Sequence, residues 1–114
     1  MSHPKSDKEQ IFYIIEQISV IEQYLEGKDE DMFYRDAMLK DACFARLLVL
    51  GEHTGRLSAS LKEKYDEIEW NVIRQARNYY AHAYDALSWP RVWLTLIQEL
   101  PEYKVKLEKI VSEL

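Results

Sequence analysis

A chain of 114 residues, 47% apolar and 31% charged, is sized for one domain around one continuous core and is too apolar for disorder. Its longest strictly apolar run, Leu47–Leu50, falls far below the roughly 20 residues of a membrane helix, and Met1–Lys8 lacks the apolar stretch and cleavage site of a secretory leader. A net charge of −5 weighs against a nonspecific nucleic-acid binder, and the single cysteine, Cys43, rules out an internal disulfide, so a reducing cytoplasm is the expected compartment.

Three glycines and three prolines leave few breaks and none of the turn chemistry of hairpins. Ile11, Ile14, Ile15, Ile18, Ile21 and Leu25 recur at helical spacing and predict a first helix over about residues 7–26, closed by Gly27. After the polar Lys28–Asp31, Asp31 is placed to cap a short turn carrying Met32 and Phe33. The longest helix is expected over about residues 36–64. Its core positions Cys43, Leu47, Leu50, Thr54, Leu57 and Leu61 alternate spacings of four and three, the seam of a left-handed helix pair. Gly51 beside that seam permits close approach of another backbone.

Residues 65–69 read as a connector, and Trp70 opens a third long helix running to about His82. Ser88 is a candidate N-cap with Pro90 in the first turn, where its missing N–H is harmless. Trp89, Val92, Trp93, Leu96, Ile97 and Leu100 then form an apolar face. Pro101 either kinks that helix or starts a last one, in which Leu107, Ile110, Val111 and Leu114 continue the stripe. The expected architecture is all-α: one domain over residues 1–114, about 1–6 forming a tail, built as an antiparallel bundle of four to five helices. Phe12, Tyr13, Val20 and Tyr24 add apolar surface on further faces of the first helix, which predicts burial against a second copy in a homodimer.

The charge is uneven. Residues 1–40 carry nine acids and five bases, whereas residues 41–98 carry seven of each and every arginine except Arg35. His3 sits in the tail, His53 reads as a satisfied half-buried side chain beside the seam, and Cys43 as a small apolar filler. No metal-ligand spacing occurs, so neither a metal nor another cofactor is expected.

His82 stands apart. It lies where the third helix should end, among groups that bind or polarise phosphate: Arg74, Arg77, Asn78, Tyr79, Tyr80 and Tyr84. Attack of a ribose 2′-hydroxyl on the neighbouring phosphate needs a base of near-neutral pKa, which histidine supplies. It also needs a cation to hold the phosphate, and arginine's planar fork suits that role. On an ideal helix, however, Arg77 and His82 are about 140° apart. Either the helix loosens near residues 81–83, or the site forms between two subunits. A purely structural reading stays open, in which Arg77 pairs with a facing acid and His82 caps the helix C-terminus.

The segment R-N-Y-Y-A-H-A-Y at Arg77–Tyr84 resembles the R-x4-H-x-Y motif of HepT-like proteins of the HEPN superfamily. The similarity extends to Leu25-Glu26-Gly27, to Leu50-Gly51-Glu52 with Arg56-Leu57, to Tyr65-x-Glu67-Ile68-x-Trp70, and to Trp93 with Leu100-Pro101-Glu102, and so covers nearly all of residues 7–114. It departs from the commoner pattern at Asp66, Glu69, Gln75-Ala76, Ala83 and Asp85. The resemblance implies an all-α, HEPN-like homodimer with the motif in a cleft at the interface. It also implies a metal-independent ribonuclease serving as the toxin of a prokaryotic type VII-like toxin–antitoxin pair. The implied antitoxin is a minimal nucleotidyltransferase that silences the toxin by adenylylating the motif tyrosine. By position, Arg77 and His82 are then catalytic, Asn78, Tyr79 and Arg74 accessory or RNA-binding, and Tyr84 the modified residue. Two further readings remain: a HEPN module that binds nucleotide or RNA, or docks a nucleotidyltransferase, without cleaving; and a structural bundle with a coincidental motif.

Overall fold

The computed structural model describes residues 6–70 and 87–114, and all of the regular structure in them is helical. Helix α1 spans Asp7–Leu25, α2 Glu30–Arg35, α3 Ala37–Gly55 and α4 Ala59–Lys64. Beyond residue 87, α5 (Trp89–Leu94) runs through a π-helical stretch, Thr95–Glu99, into α6 (Leu100–Glu113). The all-α expectation holds among the described residues.

Each helix starts where the local chemistry allows it. Ser6 Oγ accepts from the Glu9 N–H to cap α1, and at the other end Gly27 takes the left-handed conformation, φ 74°, that a side chain with a Cβ would resist. The cap of α2 is Asp29, not the expected Asp31: Asp29 Oδ1 accepts from the Met32 N–H at 2.8 Å. Asp31 falls instead in the first turn, favoured there by the helix dipole, and pairs with Arg35 four residues on. Of the two residues assigned to this turn, Phe33 is fully buried and Met32 is 49% exposed.

The expected single helix over 36–64 is divided. It stops at Gly55 and restarts at Ala59 with Ser58 as N-cap. The break is held from a distance: Asp7 accepts from the Ser58 N–H at 2.9 Å and from Ser58 Oγ at 2.5 Å, while Ser58 Oγ itself accepts from the Leu61 N–H. Arg56 in the break keeps right-handed φ/ψ, so the apolar spacing carries across it. All six predicted seam residues are buried, from Cys43 at 0% to Leu61 at 6% exposed.

Helix α1 packs along α3 and α6, and α2 lies against α3. Ile11, Ile14, Ile18 and Ile21 of α1 are fully buried with Leu50, Leu100 and Leu107, and this apolar contact supplies most of what holds such short helices together. Bonds between residues 7 and 58, 10 and 53, and 17 and 46 show that α1 and α3 run antiparallel. No described helix is long and apolar enough to cross a membrane.

Ser88 caps α5 as expected, accepting from the Arg91 N–H, with a proline in the first turn. Pro101 neither kinks the chain sharply nor begins a separate helix. Its ring clashes with the carbonyl four residues back and it donates no hydrogen bond. The backbone answers by widening: the Leu100 N–H reaches the Thr95 carbonyl, a π-type bond, before α-geometry resumes. Val92, Leu96 and Leu100 stay buried through this passage, but Ile97, expected on the same face, is 47% exposed. In α6, Leu107 and Ile110 are buried, Val111 is half-buried and Leu114 is 49% exposed.

Candidate active site

The motif and its neighbours, Arg74, Arg77, Asn78, Tyr79, Tyr80, His82 and Tyr84, lie outside the described residues. Their immediate flanks are described, and both are firmly anchored.

On the entry side, Trp70 is buried to 8% exposure, and its indole Nε1 donates to the Tyr65 carbonyl at 3.2 Å. The indole meets Tyr103 of α6 edge-on at 6.0 Å, an arrangement the ring quadrupoles favour. Tyr103 Oη in turn hydrogen-bonds Thr54 Oγ1 of α3 at 2.9 Å, with both groups buried. The connector before Trp70 is clamped as well, because Tyr65 Oη donates to Glu113 Oε2 at 2.5 Å near the end of α6. Burial drives the Tyr103 phenol strongly upward from its ordinary pKa, and the bond to Glu113 raises that of Tyr65, so both stay protonated at neutral pH.

On the exit side, Trp89 packs edge-on against Phe33 and Phe44, each at 6.0 Å, and Lys40 Nζ lies 5.2 Å from its ring. Trp93 lies 5.1 Å from Phe33. Arg91 binds Glu99 with both terminal nitrogens, at 2.6 and 3.2 Å, and Thr95 joins them. The Arg91 bond holds the Glu99 carboxyl below its ordinary pKa despite partial burial. Sequence reading placed Trp70 at the start of the third helix and Trp89 on an apolar face, and gave Tyr103 no role. Their anchoring role has one general signal: a buried Trp or Tyr must place its polar atom on a partner.

Cys43 falls where expected, and His53 is more deeply buried than expected. His53 is buried, with Nδ1 2.6 Å from Gln10 Oε1 and its ring 4.3 Å from that of Tyr13. Cys43 is fully buried, and burial pushes its thiol up to about 11, so it is no nucleophile at neutral pH. Among the described residues no group of three or more His, Cys, Asp or Glu is arranged to hold a metal ion.

A cleft of about 280 Å³ opens beside Ile68 and Tyr103, lined also by Glu67, Glu69, Glu99, Glu102 and Lys106. With four carboxylates against one lysine it repels a phosphodiester. The described residues therefore frame the motif segment and offer RNA no site in this cleft.

Comparison with known proteins meets the same segment. Residues 14–110 match the family described as "Ribonuclease HepT-like". A protein of Methanocaldococcus jannaschii named "Gamma-glutamylcyclotransferase and putative RNase" is 30% identical over 102 residues, which are 90% of this chain but only 46% of that protein. The chain thus spans about half the length of that relative. A "Putative RNase" of the same organism is 29% identical over 112 residues, 97% of each chain. The "Probable ribonuclease HepT" of Thermococcus cleftensis is 26% identical over 106 residues, 93% of this chain and 96% of the relative. No solved structure matches. The matched span takes in both anchors and everything between them, and the chain belongs to the ribonuclease HepT-like family.

Proposed function

We propose that this chain is a metal-independent endoribonuclease and the toxin of a type VII-like toxin–antitoxin pair. The observation that carries this reading is the family match over residues 14–110, with R-N-Y-Y-A-H-A-Y inside it. His82 takes the 2′-hydroxyl proton as that oxygen bonds to phosphorus, the bond from phosphorus to the 5′-oxygen breaks to leave a 2′,3′-cyclic phosphate, and a proton goes to the departing 5′-oxygen, while Arg77 holds the phosphate and offsets the charge that builds on it. Asn78 orients the histidine or donates to phosphate, and Arg74 and Tyr79 contact the RNA strand. Neither step calls for a metal.

Two copies complete the site in this reading. On one ideal helix Arg77 and His82 point about 140° apart, and α1 carries apolar surface for a partner in Phe12, 51% exposed, and Val20, half-buried; Tyr13 and Tyr24, expected to join them, pack instead on His53 and Arg46 of the same chain. A cognate minimal nucleotidyltransferase silences the enzyme by adenylylating Tyr84, placing bulk and negative charge beside Arg77 in competition with RNA phosphate.

The test incubates wild type and His82→Ala with bulk RNA and tRNA in EDTA, and scores growth on expression. Wild type should cleave and arrest growth, and the variant should do neither. Equal cleavage by both removes the catalytic assignment; RNA binding without cleavage by either assigns the chain a binding role. A Tyr84→Phe variant should cleave RNA and escape the antitoxin, and continued neutralisation would remove Tyr84 as the switch.

A further inference from the structure

Along the α1–α3 pair, two polar contacts repeat one heptad apart, about 10.5 Å along each axis. Gln10 meets His53, and Gln17 meets Arg46. Each pair carries a tyrosine of α1: Tyr13 against His53, and Tyr24 with its ring centroid 6.0 Å from the Arg46 guanidinium. The Arg46 pair has no acid in it. Nη1 donates to Gln17 Oε1 at 2.7 Å and Nη2 to Tyr24 Oη at 3.4 Å, both neutral acceptors. Arg35 and Arg91 each reach a carboxylate, Asp31 at 3.2 Å and Glu99 at 2.6 Å; Arg46 has none among the described residues. Arg56, at the C-cap of α3, is exposed and solvated.

Arg46 is half-buried, and its partner Gln17 is 4% exposed. A guanidinium has five N–H donors in a fixed plane. Two point at α1, which orients the fork and leaves three for a further acceptor. In a chain with five more acids than bases, this half-buried cation is paired with no carboxylate among the described residues. Removing a charge from water without pairing it is costly, and the cost is recovered when an anion arrives. A phosphate oxygen matches both the charge and the fork.

We propose that Arg46, held by Gln17 and Tyr24, is a subsite for a backbone phosphate of single-stranded RNA, away from the motif segment in sequence and donated by α3. The proposal rests on the ribonuclease reading, which supplies the RNA.

The experiment measures binding of a fluorescently labelled single-stranded RNA by His82→Ala protein across a salt series. Into that parent go Arg46→Met and, separately, Gln17→Glu. The second keeps an acceptor against the guanidinium while neutralising it, so the fold is retained and only the free charge is lost. Each variant should bind about tenfold more weakly, with the log–log salt slope smaller by about 0.7, one phosphate contact on a single strand. Unchanged affinity and slope in a folded Gln17→Glu protein overturn the proposal. So does a weaker dimer by sedimentation with RNA affinity per dimer intact, which assigns Arg46 to a subunit contact. Cleavage by wild type together with parent binding that ignores both changes removes this inference alone. A wild type that neither binds nor cleaves RNA loses the ribonuclease reading together with it.

Discussion

Cys43 shows how burial decides the fate of a reactive atom. A thiol with its pKa near 11 is thiolate in roughly one molecule per thousand at pH 8, and its sulfur has no solvent access. Native protein at pH 8 should therefore resist iodoacetamide for hours and label within minutes in denaturant, followed by mass spectrometry. Labelling of native protein at the rate of a free thiol would show that α3 opens locally. Spacing alone placed Cys43 on the seam and His53 beside it. Spacing could not show Tyr103 bonding Thr54, because a buried hydroxyl pair leaves no periodic trace in the chain.

At the scale of elements, the division of α3 from α4 is the clearest departure from periodicity. Cys43, Leu47, Leu50, Thr54, Leu57 and Leu61 read as one stripe because the break preserves right-handed geometry and spends no residue out of phase. What ends the helix is a bond from Asp7, 51 residues away in the chain, and no local window contains it. Asp7→Ala removes two bonds to a charged acceptor, and should destabilise the fold by about 2 kcal/mol, the scale of a part-buried charged hydrogen bond. Ser58→Ala, which loses the cap as well, should cost about 1–2 kcal/mol. Urea melts of the double variant should show less than the sum, since the two changes remove one shared contact. Strict additivity would mean that the tether contributes nothing.

At the scale of the whole molecule, four groups among the described residues titrate upward on folding: Cys43 to about 11, Tyr34 to about 12 through its bond to Glu30, and Tyr65 and Tyr103. A raised folded pKa on an acid means that the unfolded chain releases its protons first, here from the usual values near 9 and 10. The unfolded state then binds fewer protons, so stability falls as pH rises. The contribution is complete below about pH 8.5 and is lost through pH 9–12. Melting temperatures by circular dichroism should be level from pH 6 to 8.5 and drop steeply by pH 11. A flat profile to pH 11 would mean that these hydroxyls and the thiol are solvated. The all-α architecture and five of its helix starts or stops were legible in the chain, since apolar period and capping residues act locally. The motif was legible as a string of residues, but whether Arg77 meets His82 depends on geometry that no spacing supplies.

The π-helical stretch between α5 and α6 bears on how this chain tolerates length changes. Val92, Leu96 and Leu100 advance by four residues at each step, which carries an α-helix about 40° past a full turn, and the wider turn at Thr95–Glu99 absorbs the drift. The segment therefore carries one residue more than a strict α-helix would need between its two buried ends. Deleting Gln98 should shorten the chain and leave a folded protein, the bulge relaxing to α-geometry. The same deletion at Ser19, inside the unbroken stripe of α1, would rotate Ile21 out of the core and unfold it. Insertions and deletions should be readily accepted by relatives at this one turn and refused by α1.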